Sequence, residues 1–208
     1  KGLGMDVDVF DENGNSLLNQ KGEMVCKSSF PSKPIYFWKD KNNYLYKKAY
    51  FNKYNNIWNH GDFAEITKNK GIIIYGRSDT TLNSGGVRIG TAEIYRTIEN
   101  INEISESLIT EKNIESDTII VMFVSLRKKY NLTNNLKNKI KLNIKKSLSP
   151  RHVPKIIIEV SDIPKTRSGK IVELMIKDII NNKKIYNIDS LSNPECLKDY
   201  YNRKEFKN

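Results

Sequence analysis

The chain has 208 residues, 38% of them hydrophobic, with a mean hydropathy of −0.58. That suffices for one ordinary domain, or for a small domain carrying a piece of another. It excludes a membrane-spanning helix, because no apolar run approaches the roughly 20 residues required, and no signal-peptide pattern opens the chain. A formal net charge of +11 and a pI near 9.4 point to anionic partners: phosphates, nucleotides, nucleic acid or acidic membrane. Plain richness in Lys, Asn and Ile explains the charge about equally well.

Residues 1 to about 75 read as β-structure. Met5, Val7 and Val9 alternate with Asp6 and Asp8, the period-two pattern of a half-buried strand. The DENGNS run at 11–16 is a turn, and 22–27 is the returning strand. A second hairpin is expected from Phe63–Thr67 and Ile72–Tyr75 around a KNKG turn. The aromatic stretch between them holds Trp38, Tyr50, Phe51, Tyr54 and Trp58, and reads as packing for a small barrel. The chain opens on Lys1 in mid-strand, so a piece of a longer protein is expected.

Near Gly76 the pattern changes. Thr91 is placed to cap a helix that buries Ile94, Tyr95 and Ile98. Strands follow near 107–110 and 118–125. A helix over about 133–148 carries Leu136, Ile140, Ile144 and Leu148 on one stripe and five lysines elsewhere. A strand at 156–160, a loop at 163–169 and a helix over about 170–181 complete the order. That order makes a compact α+β lobe. The tail from Asn187 has no period, and there is no internal repeat.

Three clusters carry chemistry. In Trp58-Asn59-His60-Gly61-Asp62, an Asp after Gly at a strand can accept from two adjacent hydroxyls, such as those of a ribose; a plain turn is the alternative. In Gly76-Arg77-Ser78-Asp79 and the following Gly85-Gly86-Val87-Arg88, glycines permit close backbone approach and arginines suit phosphate. In Pro164-Lys165-Thr166-Arg167-Ser168-Gly169-Lys170, three cations and a Gly make an anion-seeking loop. Pro164 stands where a Walker loop needs its first Gly, so that reading fails. Cys26, Cys196, His60 and His152 lack metal-ligand spacing. A reducing, cytoplasmic setting is expected.

In this order and spacing the clusters resemble the adenylate-forming acyl-CoA synthetase family, over nearly the whole chain. The stretches 1–11, Phe30-Pro31-Ser32-Lys33-Pro34, 76–96, 149–154 and Asn193-Pro194-Glu195 resemble its acetoacetate-activating branch. PKTRSGK is equally typical of acetate-activating relatives, which form the alternative. The resemblance implies an AMP-forming acid–thiol ligase using ATP with Mg, CoA, and a short-chain acid, acetoacetate or acetate. It implies that residues 1–76 end the large adenylation domain and 77–208 form the mobile C-terminal lid, with a hinge near Asp79. By the same resemblance Lys170 is the adenylation lysine, and Asp62, Arg77 and Arg88 bind the nucleotide. Gly86, Arg88 and Lys145 face CoA. The family's phosphate loop and its Tyr-Gly-x-Thr-Glu stretch are absent from this sequence. The acyl pocket and the magnesium ligands would therefore lie in the rest of the adenylation domain. A non-enzymatic nucleic-acid-binding module is the alternative of a different class. No nucleic-acid motif is spelled out for it, and no membrane partner is expected.

Overall fold

The computed structural model describes residues 1–115 and 117–206. The chain divides into two compact units, Lys1–Asp79 and Thr80–Asn208.

The first unit is an antiparallel sheet of β1 (Val7–Phe10), β2 (Lys21–Cys26), β3 (Trp58–Ile66) and β4 (Ile72–Arg77), in that spatial order. Asp11 shapes the first turn, its carboxylate accepting from the amides of Asn13 and Asn15 at 2.8 Å. Val9 and Ala64 are fully buried on one face. The sheet is open: among the described residues β1 does not pair with β4, so the expected small barrel is not formed. The aromatics do pack. Phe30, Tyr46 and Trp58 form a buried cluster, and Tyr50 stacks on Trp58 at 3.8 Å. Tyr46 and Tyr50 belong to a helix not anticipated from sequence, α1 (Tyr44–Tyr50). The Asp40 carboxylate accepts from the Leu45 and Tyr46 amides at 2.9 and 2.8 Å and so anchors its first turn.

The second unit opens with a hairpin, β5 (Leu82–Ser84) and β6 (Val87–Ile89), and continues into α2 (Thr91–Ile98). Gly90, not Thr91, sits at the N-cap of α2. The Glu93 carboxylate turns back to accept from the Gly90 amide at 3.3 Å, which leaves Thr91 as the first helical residue. A three-stranded sheet follows in the order β7 (Ile104–Ile114), β8 (Asp117–Leu126) and β9 (Ile156–Glu159). β7 and β8 are antiparallel; β9 is parallel to β8 and is reached through α3 (Asn134–Ser147). Thr133 caps α3 by accepting from the Leu136 amide at 3.2 Å. The last helix, α4, spans Glu173–Ile180 and begins three residues later than its hydrophobic pattern implies.

The sheet separates two cores. Ile109, Ile120, Met122, Val124 and Ile157 meet Ile94 and Ile98 of α2, Ile140 and Ile144 of α3, and Leu82 and Ile89 of the hairpin. Leu108, Val121, Phe123 and Ile158 meet Ile176, Ile179 and Ile180 of α4. The tail joins this second core: Leu191, Leu197 and Tyr200 are buried in it, although no periodicity announces them. Among the described residues no helix is long and apolar enough to cross a membrane.

Candidate functional site

The first group of candidate residues lies where β3 meets β4. The register places Asp62 opposite Arg77. Gly61 adopts φ +78°, and a Cβ there would stand 2.8 Å from Arg77 Nη2. The glycine is therefore needed both for its left-handed backbone and for the room it leaves the guanidinium. Arg77 Nη1 donates to the His60 carbonyl at 3.2 Å and to Asp62 Oδ1 at 3.4 Å. His60 Nδ1 lies 2.7 Å from Asp62 Oδ2. Burial pushes the Asp62 carboxyl up, but the His60 hydrogen bond and the His60 and Arg77 charges outweigh it and hold the group below its ordinary value. Asp62 is thus a preformed carboxylate. It has about four lone-pair positions, so two partners leave room for a pair of hydroxyls.

Two further residues complete this corner. Asp79 Oδ1 is 3.6 Å from Arg77 Nε. Ser78 donates to the carboxylate of Glu23, a buried acid also paired with Lys53 at 2.8 Å. Sequence reasoning passed over His60 as an Asp62 partner and over Glu23 entirely. The HGD triplet gave a local clue to the first, but nothing local marks the 55-residue separation between Glu23 and Ser78.

The second group lies on the β5–β6 hairpin. Gly85 and Gly86 have φ +57° and +77°, and no atom lies within 4 Å of a Cβ built on either. Two successive left-handed residues make the tight turn that suits hairpin twist, and the tip they form is bare backbone. Arg88 is aligned by Thr81, whose Oγ1 accepts from its Nε and Nη2 at 3.3 Å each.

The third element is the 164–171 loop. It is a closed turn: the Thr166 amide donates to the Lys170 carbonyl at 2.8 Å, the Gly169 amide to the Thr166 carbonyl at 2.8 Å, and the Lys170 amide to Thr166 Oγ1 at 3.1 Å. Gly169 takes φ +82° at its tip. Lys165 is committed to an ion pair with Glu106. The Lys170 ammonium is exposed and has no ion pair or hydrogen bond among the described residues. Contrary to the expected helix start, Lys170 sits in the turn and not on α4. The hairpin is anchored by Leu82 and Ile89 to one face of the sheet, whereas α4, which follows Lys170, covers the other. Lys145 is exposed on α3, on neither the hairpin nor the loop. A groove of about 680 Å³ lined by Asn100, Ile101, Asn138, Leu142 and Lys146 holds none of these residues.

Residues 98–170 match the AMP-binding enzyme C-terminal domain, a match that ends on Lys170. The chain carries the C-terminal domain of an adenylate-forming enzyme. Its relatives are specific. It is 48% identical over 206 residues to acetoacetyl-coenzyme A synthetase of Rhizobium meliloti, covering 99% of this chain and 32% of the relative. It is 41% identical over 208 residues to acetoacetyl-CoA synthetase of Xenopus tropicalis, covering 99% and 31%. Among solved structures, acetoacetyl-CoA synthetase from Streptomyces lividans matches with a TM-score of 0.89 at 38% identity, over 96% of this chain and 30% of that one. The chain thus spans about a third of the length of the curated relatives it matches.

Proposed function

We propose that this chain is the lid-bearing part of an AMP-forming acetoacetate–CoA ligase. The observation that carries the reading is 48% identity to an acetoacetyl-coenzyme A synthetase over 99% of the chain. The acid's carboxylate oxygen attacks the α-phosphorus of ATP, and the bond to pyrophosphate breaks. The CoA thiol, losing its proton, then attacks the acyl-AMP carbonyl, and AMP leaves.

In this reading Asp62 accepts from the two ribose hydroxyls, with His60 and Arg77 holding its plane. Arg77 and Arg88 face the nucleotide. The unpaired Lys170 ammonium neutralises the carboxylate and α-phosphate oxygens as they come together. The bare backbone of Gly86 lets the pantetheine arm of CoA pass, and Arg88 and Lys145 meet CoA phosphates. Residues 1–76 end the adenylation domain, 77–208 form the lid, and Asp79 is the pivot. Support for the pivot is that the two compact units part between Asp79 and Thr80. Magnesium enters with ATP. In this reading its ligands belong to the rest of the adenylation domain.

The test is ATP–pyrophosphate exchange by the full-length ligase that carries this chain. Exchange with acetoacetate exceeding that with acetate is expected; the reverse order would make it an acetate-activating enzyme. Lys170→Ala should cut exchange by about two to three orders of magnitude and leave thioester formation from supplied acyl-AMP nearly unchanged. Gly86→Leu should do the opposite. Equal loss of both half-reactions in both variants would end the two-face reading.

A further inference from the structure

β7 is an edge strand. Among the described residues it pairs with β8 alone, so the polar groups of alternate residues point away from the sheet and need partners from elsewhere. Side chains from two helices supply them. At one end of α4 the Asn113 amide donates to Asn181 Oδ1 at 2.8 Å, and Asn181 Nδ2 donates to the Glu111 carbonyl at 3.1 Å. At the other end the Ile109 amide donates to the Tyr95 hydroxyl oxygen at 3.0 Å. That hydroxyl donates onward to Glu173 Oε1.

The second chain of bonds joins three elements through one oxygen. Tyr95 lies on α2, which leaves the Gly86–Arg88 hairpin by way of Gly90. Ile109 is on the edge strand. Glu173 is the first residue of α4, three positions after Lys170. The limb of the lysine turn that precedes its tip is already well held: Lys165 pairs with Glu106, and the Arg167 amide donates to the Ser190 carbonyl at 3.1 Å. The limb that follows is tied to this one at Lys170 by Thr166 and at Ile171 by a bridge to Lys165; beyond that it has a long backbone bond, Val172 N to Pro164 O at 3.3 Å, and then Glu173, its first tie to α2 and the sheet edge.

We propose that Tyr95 is a positioning residue that, through Glu173, fixes the Lys170 turn relative to the hairpin carrying Gly86 and Arg88. This rests on the reading of Lys170 as the adenylation lysine and adds a residue that touches no substrate. The two loops are anchored to opposite faces of the sheet. Tyr95 spans them by passing the sheet at its open edge rather than through its core. Burial and the neighbouring Glu173 charge both push the Tyr95 hydroxyl well above its ordinary value, so it stays protonated and remains a donor at neutral pH.

Tyr95→Phe removes both bonds and keeps the ring in its core. Glu173→Gln keeps an acceptor for the hydroxyl, whereas Glu173→Ala does not. In this chain, hydrogen exchange of the Gly169 and Lys170 amides should quicken by about tenfold in Tyr95→Phe. The amides of Ile140 and Met122, in the core, should stay unchanged. In the full-length ligase, kcat for adenylation should fall about tenfold to a hundredfold, as expected for a misplaced catalytic group. The KM for ATP should hold. Glu173→Ala should copy these effects and Glu173→Gln should restore activity. Uniformly faster exchange on both faces of the sheet, or unchanged adenylation in both Tyr95→Phe and Glu173→Ala, overturns the proposal. Should Tyr95→Phe not fold, the Glu173 pair decides by the same criteria. Lys170→Ala is the control. Intact adenylation there would remove the lysine's role, a failure of the earlier reading that exchange at Gly169 and Lys170 tells apart from failure of the tether.

Discussion

Gly61→Ala tests the geometry of the Asp62 corner most directly. The backbone at φ +78° costs an L-residue about 1–2 kcal/mol. The new methyl would lie 2.8 Å from Arg77 Nη2, closer than settled Cβ contacts come, and 3.1 Å from Cζ, so the guanidinium must withdraw. Its side chain is 54% exposed, which makes withdrawal easy and limits the lost ion-pair energy to about 0.2–1 kcal/mol. Together these give a loss of about 1–3 kcal/mol. For a unit of this size that lowers the melting temperature by on the order of 5–20 °C. Trp58 fluorescence in a Trp38→Phe background follows the unit, since these are the two tryptophans. Gly85→Ala is the comparison: its φ is +57° and no atom lies within 4 Å of the added carbon, so strain alone remains. Combining Gly61→Ala with Arg77→Ala should make the pair non-additive by about 0.5 kcal/mol or more. Strict additivity, with a melting temperature close to the parent in Gly61→Ala, would refute the cradle.

Three more outcomes follow from the same structure. The Asp62 carboxyl is held below its ordinary value, so its contribution to stability is fully present above about pH 4 and is lost as pH falls through its folded value; His60→Ala should move its titration upward in carboxyl ¹³C NMR, and an unmoved titration would disprove the His60 contact. Lys170→Ala should change stability by less than about 0.5 kcal/mol, because the ammonium is exposed and has no partner among the described residues; a larger loss in thermal melting would reveal a structural role. Asn181→Ala strips partners from the Asn113 amide and the Glu111 carbonyl and should cost about 1–3 kcal/mol. It should also promote concentration-dependent association through the uncovered β7 edge, visible by sedimentation; sedimentation and stability both unchanged from the parent would contradict the edge argument.

Most elements were legible because their signals are local. The period-two run at Met5–Val9, the Leu136-Ile140-Ile144 stripe and the apolar run of β8 each state their own burial. What escaped was set by partners distant in sequence. YLYKKAY is a helix because Asp40 holds its first turn and Trp58 receives Tyr50, and seven residues are too few to show a period. Leu191, Leu197 and Tyr200 are buried because the second core has space beside Phe123. The α4 pattern runs back toward Lys170, but Gly169 at φ +82° and the Thr166–Lys170 bonds keep that segment in a turn. At the candidate site the motif residues could be named from sequence. Their orienting partners, His60 for Asp62, Thr81 for Arg88 and Tyr95 for the lysine turn, required coordinates.

The parallel pairing of β9 beside β8 has a kinetic side. β7 and β8 are separated by only two residues of sequence and can zip together quickly. Ile156, by contrast, finds Val121 only after the whole of α3 has been laid down. The lysine turn and α4 come later still, on a face that stays open until Ile158 is seated among Phe123 and Ile176. A nascent chain would therefore hold a finished hairpin, two helices and two of the sheet's three strands well before the Lys170 turn was in place. Chain synthesis itself would order the two faces in time, the Gly86 side maturing first and the lysine side last.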